Sequence, residues 1–436
     1  MPDVTSSQSA RFRWHRLLLG AVALVVVVLF LGLRRPGGLT QRLAEIRARG
    51  QPTNLDELER SLGSDAMVGR SNAARLTDLG IKLRLDAGRK FPSRSTNTAE
   101  DIAWARRELS GSNAPVFAEL HEQLAVGPWC FVNASRGPSS SIDYLSTVKG
   151  VASALQMEAI GAALLGDTQR AAGALLAGIQ VGRTLEFGGL YIDYLVRVAC
   201  DSIAAQATEG VFSRLQLTDA QLEALQTAFL RAEGTNALGS ALIGERAYFL
   251  TFLKLPSGSG GTSGMDVVWG SLYRTFIQPG DQIYYVDQMG DLIASTALPG
   301  PAALAAQRNQ ESKFTSAVGG WRRPFSRMTL PALFKSVEKE RRHLAIQRCA
   351  RTGCAVERFR ALNGRLPSTL DELVPGLLEA VPTDPGSGES LKYRRLDRGY
   401  VVYCLGEDGT DDGGAERANR TKGAMKGWDD TFTVER

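Results

Sequence analysis

The chain is poor in the residues from which most enzyme sites are built. Its 436 residues hold only three histidines, His15, His121 and His343, which leaves few imidazoles for a metal or hydrolytic centre. No His-Glu-x-x-His, Cys-x-x-Cys, Gly-x-Ser-x-Gly or Walker loop occurs, so no familiar zinc, redox, serine-nucleophile or nucleotide motif is available. A histidine-based hydrolase would have to use His121 or His343, and each reads as a surface or hydrogen-bond-satisfied residue. The five cysteines (Cys130, Cys200, Cys349, Cys354, Cys404) are too scattered for a disulfide scaffold. Cys349 and Cys354 lie too far apart on one expected helix for an unstrained bridge. Cys349 or Cys354 with Cys404 stays open if that helix covers the C-terminal hairpin, buried free thiols being the preferred reading. No block of like charge occurs and the net charge is only +5, so no nucleic-acid partner is expected.

What is present begins with an apolar run. Residues 17–33 carry no charge, follow Arg11, Arg13 and Arg16, and end at Arg34-Arg35-Pro36. The length suits a minimal spanning helix, and no small-x-small cleavage site closes it. The expectation is a retained anchor in the lipid bilayer with residues 1–16 as a cytoplasmic tail. Arg34, Arg35, Arg42, Arg47 and Arg49 argue for the opposite orientation, but long domains translocate largely regardless of such charges.

Residues 39–330 read as a helical domain. Asn54-Leu55-Asp56-Glu57-Leu58 opens one helix, and helices are expected around 99–109 and 116–124. Leu145, Val148, Ala152, Leu155, Ala159 and Ala162 recur at three and four, as do Ala172, Leu175 and Ile179, then Leu195, Val198, Ser202 and Ala205. Thr218-Asp219-Ala220-Gln221 is a capping box with Leu222, Leu225 and Phe229 inward. The pattern implies a helical bundle or short solenoid. Residues 256–264, rich in Gly and Ser, are expected to be a flexible loop. Trp269, Tyr273 and Phe276 at helical spacing read as a core stripe, with a ligand floor as the alternative. A helix over 281–297 ends at Pro299-Gly300-Pro301. Residues 331–436 hold a long helix with Pro331 in its first turn, Leu333, Val337, Leu344, Val356 and Phe359 inward, and Arg341, Arg342, Arg348 and Arg351 on a solvated face.

After that helix the punctuation is dense. Asn363-Gly364 supplies a left-handed stop, Thr369-Leu370-Asp371-Glu372 a capping box, and Asp384-Pro385 a loop. Two alternating runs, 391–396 and 400–405, flank Asp397-Arg398-Gly399 as a hairpin with Gly in the positive-φ position. The acidic loop Gly406-Glu407-Asp408-Gly409-Thr410-Asp411-Asp412-Gly413-Gly414 follows. Clustered carboxylates in a glycine-rich turn suit a hard cation, which takes six to eight oxygens in forgiving geometry. Asp408, Asp411 and Asp412, with Asp430 returning before a possible strand at 431–434, are the candidate metal ligands.

Gly364-Arg365-Leu366-Pro367, Asp384-Pro385 and Gly406-Glu407-Asp408-Gly409, in that order after a long helix, resemble the C-terminal part of the major pseudopilin of type II secretion. The resemblance covers roughly the last fifth of the chain. It implies a small α+β module outside the cytoplasm that binds calcium at the loop, with Asp408 and Asp430 at the matching positions. The pseudopilin leader and its Gly-Phe-Thr-Leu-type motif are absent, so the shared element is the module rather than a fibre subunit. The whole chain looks similar to uncharacterised single-pass bacterial proteins with a helical ectodomain before such a module.

The expected fold is therefore mainly α, with an N-terminal transmembrane helix, a helical ectodomain and the small α+β module. The expected location is the bacterial inner membrane, with the ectodomain outside the cytoplasm. Two function classes follow. One is a non-catalytic, membrane-anchored envelope protein acting through protein–protein interaction, with secretion as its expected association. The other is an envelope hydrolase with a carboxylate pair in the helical domain, a chemistry that needs no motif and for which no pair stands out in the sequence.

Overall fold

A computed structural model describes residues 38–63, 65–84, 97–131, 142–186, 189–234, 236–253, 273–317, 323–416 and 428–436. Residues 17–33, the 256–264 loop and Trp269 lie outside these, as does the Phe276 side chain. Among the described residues no helix is long and apolar enough to cross a membrane.

The helices, in order, are α1 (Gly38–Ala48), α2 (Leu55–Ser61), α3 (Asp65–Lys82), α4 (Ala99–Ser110), α5 (Ala114–Leu124), α6 (Tyr144–Leu164) and α7 (Thr168–Arg183). They continue with α8 (Tyr191–Phe212), α9 (Asp219–Glu233), α10 (Ala237–Phe252), α11 (Gln278–Ser295), α12 (Gly300–Ala317), α13 (Pro324–Phe334) and α14 (Ser336–Asn363). A short π-helical turn at Tyr273–Ile277 precedes α11, and a 3₁₀ turn, Leu370–Leu373, follows α14. The strands are β1 (Lys392–Leu396), β2 (Gly399–Cys404) and β3 (Asp430–Glu435), one antiparallel sheet in the order β1-β2-β3. The protein is mainly α, and among the described residues the strands come last.

Local chemistry accounts for several of the helix ends. Thr98 and Thr218 close complete capping boxes with Asp101 and Gln221, satisfying amide groups that the first turn cannot. Gly364 stops α14 at φ 68°, a conformation that costs a residue with a Cβ. The expected capping box at Thr369 is not formed: its side chain makes no cap bond, and Glu372 instead accepts the Ser368 amide and pairs with Arg365. Glu57 does the same at α2, accepting the Thr53 amide at 2.7 Å. The matching stretches Pro52-Thr53-Asn54-Leu55-Asp56-Glu57-Leu58 and Pro367-Ser368-Thr369-Leu370-Asp371-Glu372-Leu373 thus reuse one device, a carboxylate reaching back four residues.

The long helix also begins later than expected. Pro331 lies inside α13, and α14 starts at Ser336 after a break at Lys335. Asp281, on α11, is 1% exposed and accepts the amides of Phe325 and Ser326 at 2.8 and 3.1 Å. It caps α13 from a neighbouring helix. Pro299-Gly300-Pro301 both follows α11 and opens α12.

Among the described residues two large apolar cores result, with a small third cluster at Leu55 and Leu58. The larger joins helices α3 to α9, the second half of α14 and the sheet, with Leu155, Leu225, Phe212, Val356, Tyr400 and Phe432 among its members. The second large core packs α1, α10 and α11 to α13 against the start of α14 through Leu242, Tyr285, Met289 and Phe334. Gly353 permits this approach of helix to sheet, because a Cβ there would collide with the Phe432 ring. The free edge of β3 is covered by α8: the Thr433 amide donates to Glu209 at 2.8 Å and the Glu435 amide to Ser213 at 3.1 Å, so this edge offers no open template for another strand.

Candidate functional site

The helix faces that pack α8 against α14 carry charge. Arg197, Asp201 and His343 are 1%, 1% and 3% exposed, a placement that costs heavily unless each charge is paired. His343 Nε2 lies 2.8 Å from Asp201 Oδ2, and its Nδ1 lies 3.2 Å from Glu340 Oε2. Tyr194 donates to the same Glu340 oxygen at 2.6 Å. Arg197 reaches Glu186 at 3.2 Å and Asp201 at 3.5 Å. Gly182 of α7 backs Asp201, where a Cβ would overlap its carboxylate. Burial alone would push the His343 imidazole down; Asp201 and Glu340 overcome it and raise it to about 9. Burial likewise opposes ionisation of Glu340, and His343 and Tyr194 outweigh it, holding the carboxyl below its usual range. At neutral pH His343 is an imidazolium between two carboxylates, so it has no lone pair for base catalysis.

Glu340 also faces a cleft of about 600 Å³ between the helical body and the C-terminal segment. One wall is apolar, from Leu238, Leu298, Pro299, Pro301, Leu304 and Val337. The rim is tight where Gly300 meets the Pro385 carbonyl, with no space for a Cβ. The charged side chains that line it are Glu233, Glu340, Arg341, Arg348 and Asp384. Arg348 pairs with Glu233 at 2.6 Å and donates to the Thr383 carbonyl. Arg341, 5% exposed, pairs with Glu338 at 2.6 Å and Asp430 at 2.9 Å. Asp384 accepts the Gly386 and Leu405 amides at 2.6 and 2.8 Å. The expected solvated arginine face is thus corrected for Arg341, Arg348 and Arg351, whose acidic partners come from β3 and α9. Arg342 alone of the four keeps a mostly exposed side chain, at 56%.

The predicted metal ligands divide. Asp408 accepts the Thr410 amide at 3.0 Å. Asp411 accepts the Gly413 amide at 2.9 Å and pairs with Lys392 at 3.2 Å. Asp430 does not join the loop; it is held by Arg341 and Arg342. Its neighbour Asp429 does join, accepting the Asp412 and Gly414 amides at 3.2 and 2.8 Å. Asp412 Oδ2 and Asp429 Oδ1 are buried without a hydrogen-bond partner, which suits a cation. Among the described residues no group of three or more His, Cys, Asp or Glu side chains is arranged to hold a metal ion, so such a site would need carbonyl and water oxygens to complete it.

Two buried carboxyls of the helical body, Asp193 and Glu245, are near enough to influence each other. Asp193, at the start of α8, accepts the Leu190 amide at 2.6 Å and a bond from Tyr144. Glu245 of α10 accepts the Tyr191 amide at 3.0 Å. Burial raises both carboxyls, Glu245 to about 7 with Asp193 adding to the rise. The remaining described histidine, His121, lies 2.8 Å from Glu158, which also pairs with Arg170 at 2.8 Å. Sequence reasoning missed Arg197, Asp201 and Glu340. The available signal was their position on faces of α8 and α14 that also carry buried small residues.

Comparison with protein families, with curated proteins and with solved structures finds no match.

Proposed function

We propose that this is a non-catalytic, membrane-anchored protein of the bacterial envelope that acts through protein–protein interaction, with the cleft as its docking place. One observation carries the reading: each charged side chain lining the cleft is already held by a partner from the chain itself. A proton-transfer site needs a group whose proton can move in the working pH range, whereas Glu340 is held ionised and Arg341 and Arg348 are committed. A rigid, internally neutralised floor beside an apolar wall favours docking. Residues 17–33 supply the bilayer anchor, and an association with a secretion assembly follows from the resemblance of the C-terminal segment. Calcium at Asp412 and Asp429, with Asp408 and Asp411 nearby, belongs to the same proposal. Its support is the two orphaned carboxylate oxygens.

The test is affinity capture from envelope extract with the detergent-solubilised full chain and with Leu298→Glu, which places a charge on the 45% exposed wall residue. A defined protein retained by the native chain and lost by the variant supports docking at the cleft. Equal capture by both contradicts it.

Asp193 and Glu245 favour one second reading, an envelope hydrolase with Glu245 as proton donor. Release of reducing ends from envelope glycan by the native chain, abolished in Glu245→Gln, would establish that reading; no release would end it.

A further inference from the structure

Cys349 of α14 and Cys404 of β2 bring their sulfur atoms to 3.9 Å, and both residues are at most 1% exposed. The contact is not a local accident, since the two residues stand 55 positions apart. It sits where the long helix lies against the middle strand, below the ion pair of Arg341 with Asp430. Cys349 Sγ also lies 3.8 Å from the Asp430 carbonyl. Hydrogen-bond contact between two thiols needs only a short approach to reach bonding distance, about 2.05 Å for a disulfide. The other three cysteines, Cys130, Cys200 and Cys354, are buried on other faces or elements. The bond would close a long loop and tie the sheet to the helix on which it rests.

We infer that Cys349 and Cys404 form a disulfide when the chain folds in an oxidising compartment, fastening the C-terminal sheet to α14. The step is thiol–disulfide exchange with a protein disulfide as oxidant. Each cysteine loses its proton, the Cys349–Cys404 bond forms, and the electron pair reduces the oxidant to its dithiol. Exchange precedes closure of the sheet on the helix, because burial pushes the Cys404 thiol well above its usual range and only the thiolate attacks. Once covered, the bond is shielded from reductant. The inference rests on the proposed placement outside the cytoplasm.

The test counts thiols in the full chain taken from its native envelope under an alkylating trap, denatured, and weighed before and after reduction. The expected result is three alkylated cysteines, rising to five on reduction, with one peptide pair joining Cys349 to Cys404. A bond between other cysteines overturns the inference. A second arm unfolds the reduced chain and refolds it in mixed oxidised and reduced glutathione, with Cys404→Ala as control. Five free thiols in the native sample with the Cys349–Cys404 bond formed on refolding would sustain the pairing and overturn the placement. Five free thiols in both arms overturn the pairing.

Discussion

His343 and Asp201 meet across the packed faces of α14 and α8 at 2.8 Å, and the imidazole is as buried as the carboxylate that holds it. The raised His343 value, about 9 against an ordinary 6.5, makes this contact pH-sensitive. A group whose folded pKa is raised contributes its full stability below the unfolded value and loses it as pH rises through the folded one. The melting temperature should therefore decline between about pH 6.5 and 9, by an amount worth up to roughly 3 kcal/mol. Asp201 and Glu340 face this imidazole and set the size of the effect, with Arg197 pairing with the first and Tyr194 donating to the second. In His343→Gln that alkaline slope should flatten, as measured by thermal unfolding at pH 6 and pH 9.

Glu245 shifts stability in the same direction as His343, at lower pH and through burial rather than through a charged partner. Its carboxyl is raised to about 7 by burial, so the folded state binds its proton more tightly than the unfolded one, and stability falls as pH climbs from the ordinary carboxylate range through 7. Glu245→Gln keeps an acceptor for the Tyr191 amide and removes the buried charge. The variant should match the native chain at pH 5 and exceed it at pH 8 by about 1–3 kcal/mol, read from denaturant melts.

The helix–sheet contact at Gly353 should tolerate no added side chain. Gly353→Ala would press on the Phe432 ring, and overpacking of this kind costs about 1–3 kcal/mol. Gly150, where a Cβ meets nothing within 4 Å, is the control: Gly150→Ala should leave the melt unchanged or stabilise it slightly.

Calcium should raise the melting temperature of the full chain, and Asp429→Asn should abolish the rise because it halves the pair of orphaned oxygens. Asp408→Ala should weaken the effect less, since Asp408 is exposed and already turned to the Thr410 amide. Identical melting in calcium and in chelator would mark the loop as a plain acidic turn.

The sequence was legible at most places where the physics is local, the capping box expected at Thr369 being an exception. The capping box at Thr218, the stop at Gly364, the turn before Gly399 and the inward faces of α6, α7 and α9 could each be placed, because a few neighbouring residues decide them. The same holds for the switch to alternation after α14. It was not legible where charge is paired at long range. Arg341 and Arg348 sit among other arginines and look solvated. Their partners Asp430 and Glu233 lie 89 and 115 positions away, and no periodicity announces them. Asp201 and Glu340 were missed for the same reason, their partners His343 and Tyr194 lying 142 and 146 positions away, and Asp430, expected beside the acidic loop, is held by Arg341. Pro331 misled because proline suits the first turn of a helix, whereas here it lies within α13, shortly before the break.

The claim that the cleft is a docking place is tested most directly by site-specific photo-crosslinking in intact cells. A photoreactive amino acid at Leu298, on the apolar wall, should give a discrete adduct with one envelope protein. The same group at Met67, which is 78% exposed on α3, should give none. The adduct at Leu298 should persist in Glu245→Gln, whose carboxylate lies outside the cleft lining. Absence of any adduct at Leu298, or the same adduct from both positions, would contradict the account.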